Sequence, residues 1–420
     1  MKKYRWMRVD TASIMFSSLS SKKWGRTFRT ALVLRNEVQP DILKKAATDI
    51  MPRYPSMHAC IKKGFFWNYL EETELPPEIR EEFSTQLLPI TIRNDGRPDF
   101  RIVYYKNRLG IECAHYLADG LGANKYLTAL LERYIELTKN PDAPYCADEF
   151  NEEEISNAFN DYYQENGSKD VEEEFHAHQI EGTIEAGFLQ FIFAMMDVNE
   201  LHKKAKEKEL TITEYLAAAL IMGTLRHAMT PITEPIVIAI PVNLRRFFPS
   251  KSVRNFTIQS RIDFFPEGRK DFTFDEICEK VKGQLKKRLT AQELQKIINN
   301  FGSLANNKVI RFVPNFIKLP VVRMRQEKSH GNNTTILTNT GKTGFPPIIE
   351  NELVRADAVN GDTSGYGLIS TCSALSCNGI FNLCFSICAH DVSWARECVR
   401  VITEQGVRVR IESTHGNGEK

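Results

Sequence analysis

The sequence predicts a mixed α/β chain of two lobes, and three observations support that prediction. Its 420 residues exceed what one ordinary hydrophobic core organises, so the chain divides. Strand-like runs alternate with helical periodicities both in the first third and in the second half. Between those blocks the composition changes: carboxylates accumulate from Glu152 to Glu174 around the single Lys169. The expected division is a first lobe over residues 1–145, an acidic crossover over 146–186 and a second lobe over 187–420.

Thr27 to Arg35 reads as the first strand, with Phe28, Ala31 and Val33 set among polar neighbours. Pro40 then opens a helix whose apolar face is Ile42, Leu43, Ala46 and Ile50, and Arg53-Tyr54-Pro55 stops it. Phe100 to Lys106, a turn around Asn107 to Gly110 and a second strand-like run form a hairpin. A helix follows, with Leu127, Leu130, Leu131, Tyr134 and Leu137 on one face. The crossover carries interspersed aromatics and a mobile point expected at Asn166-Gly167-Ser168. The second lobe opens on the strand-like run from Phe188 and a charged helix over 197–208. Thr211-Ile-Thr-Glu214 is a capping-box pattern that starts an apolar helix. Pro235 to Val242 is continuously apolar and β-branched, which predicts a strand buried on both faces. Phe272 to Asn300 holds one or two helices, and strands are expected near Thr334, Leu368 and Phe381. Val392 to Glu404 is a closing helix.

Apolar and charged fractions of 42% and 26% are those of a soluble globular protein. A net charge of +2 gives a nucleic-acid partner no global electrostatic support. The first residues lack the apolar core of a secretory signal, and no apolar run approaches a bilayer span, so a cytoplasmic location and a monomer are expected. The nine cysteines contain no Cys-x-x-Cys pair; Cys372, Cys377, Cys384 and Cys388 are expected as buried thiols, and no metal site is expected.

The stretch with the most chemistry in it is Ile111-Glu-Cys-Ala-His115-Tyr-Leu-Ala-Asp119-Gly120, at the end of the hairpin and the start of a helix. A side chain there faces a cleft while rigid elements hold it on both sides. Acyl transfer from a thioester needs a base for the acceptor proton, donors for the oxyanion and a site away from bulk water. Imidazole suits the first task because its unperturbed pKa is about 6.5. Asp119 is tied too closely to the turn to act as a relay, and is expected to brace the loop through a distant Arg. Gly120 is expected to let the chain turn and approach a ligand, and the first N–H groups of the helix to face the oxyanion. A lone His at a strand end is also a common structural residue, so the pattern alone leaves both readings open.

His115-x-x-x-Asp119-Gly120 resembles the signature of the thioester-dependent acyltransferase superfamily, which includes condensation domains, wax-ester synthases and alcohol acetyltransferases. Further segments agree in order: Leu43 to Ala47 with Arg53-Tyr54-Pro55, Ala205 to Ala219, Ile240-Pro241-Val242-Asn243-Leu244-Arg245 with Asn255-Phe256, and Thr338-Asn339-Thr340-Gly341. The likeness covers nearly the whole chain and is closest to the alcohol acetyltransferase-like branch.

It implies two chloramphenicol-acetyltransferase-like α/β lobes in a V-shaped pseudo-dimer, with the active-site tunnel at their junction. It also implies that His115 is the general base, Asp119 a structural acid paired with Arg245, Gly120 the turn, and Thr338 and Asn339 cleft-lining residues. Acyl-CoA or an acyl-pantetheine carrier would be a co-substrate, with no cofactor bound permanently; the acceptor is an alcohol or an amine, and an acyl carrier protein is a candidate partner. Ala114 stands where condensation domains carry a second His, which turns the expectation from peptide-bond condensation toward ester or amide formation. A different class of function, a non-catalytic module that binds a carrier protein or acyl ligand, is the alternative.

Three other features of the sequence carry charge or histidine. Lys308, Arg311, Lys318, Arg323, Arg325 and Lys328 interleave with Val309, Ile310, Phe312, Val313, Phe316 and Ile317. This stretch reads as an amphipathic segment with a solvated basic face, or as a phosphate-contacting rim or peripheral membrane contact. His176 and His178 read as exposed, without a second ligand pair. His390-Asp391 lacks the Gly-x-Ser-x-Gly elbow of a hydrolase.

Overall fold

The computed structural model describes residues 5–19, 27–82, 87–90, 95–146, 149–169, 176–185, 187–361 and 367–414. The chain begins with β1 (Trp6–Arg8) and α1 (Thr11–Leu19), then β2 (Thr27–Leu34) and α2 (Pro40–Ile50). Pro at the start of α2 is tolerated because the first turn's N–H groups have no helical partner, and Leu43, Ala46, Ala47 and Ile50 form its buried face. β3 (Ala59–Lys62), β4 (Tyr69–Glu72) and β5 (Glu78–Glu81) precede the hairpin of β6 (Phe100–Tyr105) and β7 (Arg108–Ala114). α3 (Gly120–Lys139) packs on α2 and closes this part of the chain.

The acidic segment contains the short α4 (Ala158–Asp161). Then come β8 (Gln190–Asp197), α5 (Val198–Glu207) and α6 (Ile212–His227), the last opened by the expected capping box of Thr211 and Glu214. β9 (Ile236–Asn243) and β10 (Thr257–Phe264) follow, with Ile236 to Ile240 buried without a break. The region expected to hold one or two helices holds three: α7 (Phe274–Val281), α8 (Gln284–Arg288) and α9 (Ala291–Asn306). Gly283, at φ +72, breaks the first from the second, and Thr290 caps the third. The remainder is α10 (Lys308–Phe312), α11 (Asn315–Lys328), β11 (Thr335–Lys342), α12 (Pro347–Glu350), β12 (Leu353–Asn360), β13 (Ser370–Cys377), β14 (Ile380–Ile387), α13 (Ser393–Glu404) and β15 (Val409–Ser413).

Among the described residues the strands form a five-stranded sheet in the order β12-β2-β7-β6-β5, a seven-stranded sheet in the order β10-β9-β11-β13-β14-β8-β15, and a small sheet β1-β4-β3. The contiguous division of the chain at 145 and 187 does not carry over to the sheets. β12, far down the chain, pairs antiparallel with β2 from Asn360↔Phe28 to Leu353↔Leu34 and so completes the first sheet. The first-lobe core likewise takes in Phe345, Ile349, Leu353, Ala356 and Leu375. Nothing in the alternation of residues 353–360 says which sheet they join, because an edge pairing is chosen by tertiary contact.

The acidic segment is also more closely packed than a crossover. Phe159 is fully buried against Phe256, Tyr162 donates to the Pro249 carbonyl at 2.6 Å, and Glu154 pairs with Arg53. The expected mobile point is fixed by buried Asn299, which accepts from the Gln164 N–H at 3.0 Å and donates to the Ser168 carbonyl at 3.0 Å. Asp170, Glu172, Glu173, Glu174 and Phe175, also assigned to the crossover, lie outside the described residues.

Candidate active site

β7 reaches His115 along a strand held unusually firmly. Glu112, fully buried, stands across from Arg29 of β2 and Arg101 of β6 and accepts hydrogen bonds from both, while Arg29 also reaches Glu82 at 2.5 Å. Three adjacent strands are thereby tied one residue pair before the chain leaves the sheet. At its end His115 is half-buried, with its ring stacked on Phe16 of α1 at 4.9 Å and tilted against Phe28 of β2 at 4.6 Å. These two aromatic contacts hold the ring's orientation and give it an apolar setting.

The turn that follows is clamped from two distant parts of the chain. From α1, Ser13 donates its hydroxyl to the Tyr116 carbonyl at 2.6 Å. From the loop between β9 and β10, Asn255 donates its amide to the His115 carbonyl at 2.8 Å. Asp119 caps α3, its Oδ1 accepting from the Gly122 N–H at 3.0 Å. Its Oδ2 accepts from Arg245 Nη1 at 2.7 Å, from the Phe256 N–H at 3.0 Å and from the Thr257 hydroxyl at 3.2 Å. Arg245 donates further to the Ser252 and Arg254 carbonyls and to the Asn243 side-chain oxygen, so both partners of this buried pair are held by several hydrogen bonds. A second buried ion pair, Asp10 with Arg254 at 3.2 Å, anchors the start of α1 to the same loop.

The glycines divide otherwise than expected. Gly120 opens α3 at an ordinary helical position, and a Cβ there would meet nothing within 4 Å. It is not needed for the turn; it leaves open space beside the motif. Gly122 is the constrained residue, since a Cβ there would lie 1.8 Å from the Val253 carbonyl oxygen. Its N–H is occupied by Asp119, which removes it from the donors available to an oxyanion.

The structure thus gathers His115, Asp119, Gly120 and Arg245 into one cluster. Asn339 is committed elsewhere: its amide donates to Thr213 of α6 at 3.1 Å and its oxygen accepts from the Gly341 N–H at 3.0 Å. Thr338 is half-buried on β11, paired in register with Ser373 of β13. Residues the sequence reading missed are Phe16, Ser13, Asp10, Arg254 and the Arg29–Glu112–Arg101 network. Asp10-Thr-Ala-Ser13 does carry a helix-start signature, with the Ser13 N–H on Asp10 at 2.6 Å, but nothing local says that this helix lies over His115.

The remaining candidates resolve into structural parts. Eight cysteines are buried, with thiols pushed up by burial at Cys113, Cys372 and Cys384, and only Cys146 is exposed. Among the described residues no group of three or more His, Cys, Asp or Glu could hold a metal ion. His390 pairs with Glu185 at 2.8 Å, and Asp391 accepts from Ser393. The backbone at Ala177 and His178 hydrogen-bonds to the Gly331 and Pro235 carbonyls. No helix among the described residues is long and apolar enough to cross a membrane.

No protein-family model matches the sequence, and no curated protein matches it. Solved structures do. Trichothecene 15-O-acetyltransferase TRI3 of Fusarium sporotrichioides superimposes with a TM-score of 0.60 at 12% identity, over 95% of this chain and 95% of that one. TRI101 of F. graminearum, in complex with coenzyme A and T-2 mycotoxin, gives 0.63 at 10% identity over 96% and 99%. The nonribosomal peptide synthetase FmoA3 gives 0.57 at 12% identity, over 96% of this chain and 42% of that longer one. The chain shares their fold. It has the two-lobed, chloramphenicol-acetyltransferase-like architecture that these proteins have in common.

Proposed function

We propose that the protein is an acyltransferase that moves an acyl group from a coenzyme-A thioester, or from a carrier's pantetheine arm, to an alcohol or amine. His115 takes the acceptor proton as the acceptor oxygen or nitrogen attacks the thioester carbonyl; the intermediate collapses, the carbon–sulfur bond breaks, and the imidazolium returns the proton to the leaving thiolate. Both substrates meet in a ternary complex, in a tunnel at the junction of the lobes, and no acyl-enzyme forms. Asp119 and Arg245 keep the turn in shape, Gly120 leaves room for substrate, and Thr338 and Asn339 belong to the second-lobe side of the cleft. The reaction is cytoplasmic and the enzyme a monomer.

The observation that carries this reading is a half-buried imidazole set between Phe16 and Phe28, on a turn clamped from α1 and from the β9–β10 loop. The acetyl transfer named for TRI3 and the coenzyme A bound to TRI101 support the thioester donor, and the synthetase FmoA3 supports a carrier-bound one. Asp119 cannot serve as a relay while both its oxygens hold the clamp. Free-thiol release from a panel of acyl thioesters, with and without acceptors, tests the reading. His115→Ala should slow acceptor-dependent release by about 100- to 10,000-fold without lowering the melting temperature. Release at the wild-type rate removes His115 as the base. A protein that binds acyl thioester yet releases no thiol with any acceptor is the non-catalytic module instead.

A further inference from the structure

One surface of the molecule has its polarity inverted. Phe65 and Phe66 sit in the turn between β3 and β4, and Phe312 and Phe316 on α10 and α11. Phe65, Phe312 and Phe316 are 66%, 76% and 69% exposed, yet the four rings form one group: Phe65 meets Phe66 edge-on at 4.8 Å and Phe316 at 6.3 Å, and Phe66 meets Phe312 at 6.4 Å. Val309, Ile317, Val321 and Met324 extend the exposed apolar surface along the same helices.

Beneath these rings, polar groups are the buried ones. Asn315 donates its N–H to the Phe65 carbonyl and its amide to the Gly64 carbonyl, both at 2.8 Å. Lys318 donates to the Phe66 carbonyl at 2.5 Å and lies 3.2 Å above the Trp67 ring. The turn and the helix are thus locked together by hydrogen bonds that leave the phenylalanines outside.

Charge narrows the choice. From Lys308 to Gln326 the sequence holds five cations and no carboxylate; Lys318 is committed beneath the rings and Lys62 pairs with Glu71, whereas Lys63 of the β3–β4 turn and Arg323 of α11 are exposed. The whole chain carries only +2, so this is a local concentration of positive charge. Exposed aromatic and aliphatic groups interleaved with cations match the boundary between phosphate headgroups and acyl chains. The face is also continuous with the site, because α11 packs on α1, and Phe16 of α1 stacks on His115.

We propose that this face docks the protein on an anionic phospholipid surface, with the four phenylalanines entering the headgroup boundary and the exposed Lys63 and Arg323 against lipid phosphates. A lipophilic acceptor or acyl donor dissolved in the membrane then enters on the side of α1. That last step rests on the acyltransferase reading; the docking does not.

The test is cosedimentation of the full chain with vesicles of phosphatidylcholine alone and of phosphatidylcholine mixed equally with phosphatidylglycerol. Binding to the mixed vesicles is expected, much weaker binding to the neutral ones, and loss of binding as salt rises. The substitutions F312S/F316S, and separately F65S/F66S, should each weaken the partition by about tenfold or more. Neither should change the melting temperature or thiol release with a water-soluble acceptor. A wild-type protein that ignores mixed vesicles, or variants that bind as the wild type does, overturns the proposal. So does a concentration-dependent dimer abolished by F312S/F316S without vesicle binding, which would give the face to a second copy of the chain. Because vesicle binding needs no thioester, its failure and the failure of acyl transfer are read separately.

Discussion

Asp119 shows how one side chain can serve two levels of structure. One oxygen caps α3 and the other gathers Arg245, the Phe256 N–H and the Thr257 hydroxyl, so its charge is spent on holding the turn that presents His115. Asp119→Asn removes that charge and turns an amide toward donors, and Arg245→Met leaves the carboxylate buried alone. Each should cost about 3 kcal/mol in urea denaturation, and the double variant should cost less than the sum. A second residue-scale consequence concerns pH. His58 is buried against Phe100 and Tyr126, its Nε2 3.1 Å from the Tyr126 hydroxyl, and burial lowers its pKa to about 3. The unfolded chain binds that proton near pH 6.5, the folded chain only near 3, so stability falls as pH drops through this window. Between pH 7 and pH 5 this group accounts for about 2 kcal/mol, and His58→Phe should flatten that part of the stability profile. An unchanged slope in the variant would refute the assignment.

At the scale of elements, the seam around α3 sets the tolerance to substitution. The helix start approaches the Val253 carbonyl so closely that only Gly122 fits, whereas Gly120 faces open space. Gly122→Ala should lower stability by about 2–3 kcal/mol, while Gly120→Ala should fold as the wild type and act, if at all, on the Michaelis constant. Thermal melts alongside steady-state kinetics separate the two; equal stability loss at both positions would contradict the packing. Much of this level was legible in the sequence. Pro40, the Thr211–Glu214 box and the β-branched run at 236–240 announced their elements because caps and periodicity are local properties. α1 and β12 were missed for the opposite reason: one is short and weakly amphipathic, and the other has its sheet chosen by contact rather than by composition.

At the scale of the molecule, the return of β12 to the first sheet makes the lobes interdependent. Without it β2 becomes an edge, and the first core loses Phe345, Ile349, Leu353 and Ala356. A fragment of residues 1–145 should therefore show no cooperative thermal transition by circular dichroism, although it contains His115, Asp119 and Gly120. A sharp, two-state melt of that fragment would show that the returning strand is dispensable. The same arrangement explains why the motif needs the whole chain: its clamp comes from α1 on one side and from residues 243–257 on the other.

By itself the sequence determined the α/β class, the order of most elements and the hairpin-to-helix turn that carries His115, all of which follow from periodicity and capping chemistry. The pairing of Asp119 with Arg245 was implied by the resemblance to the acyltransferase superfamily, and the structure forms it. Only the tertiary structure decided that Phe16 and Phe28 wall the imidazole, that Gly122 rather than Gly120 is the constrained glycine, and that β12 crosses back. Such decisions depend on which surfaces meet when the chain collapses, and burial is nearly indifferent to distance along the sequence.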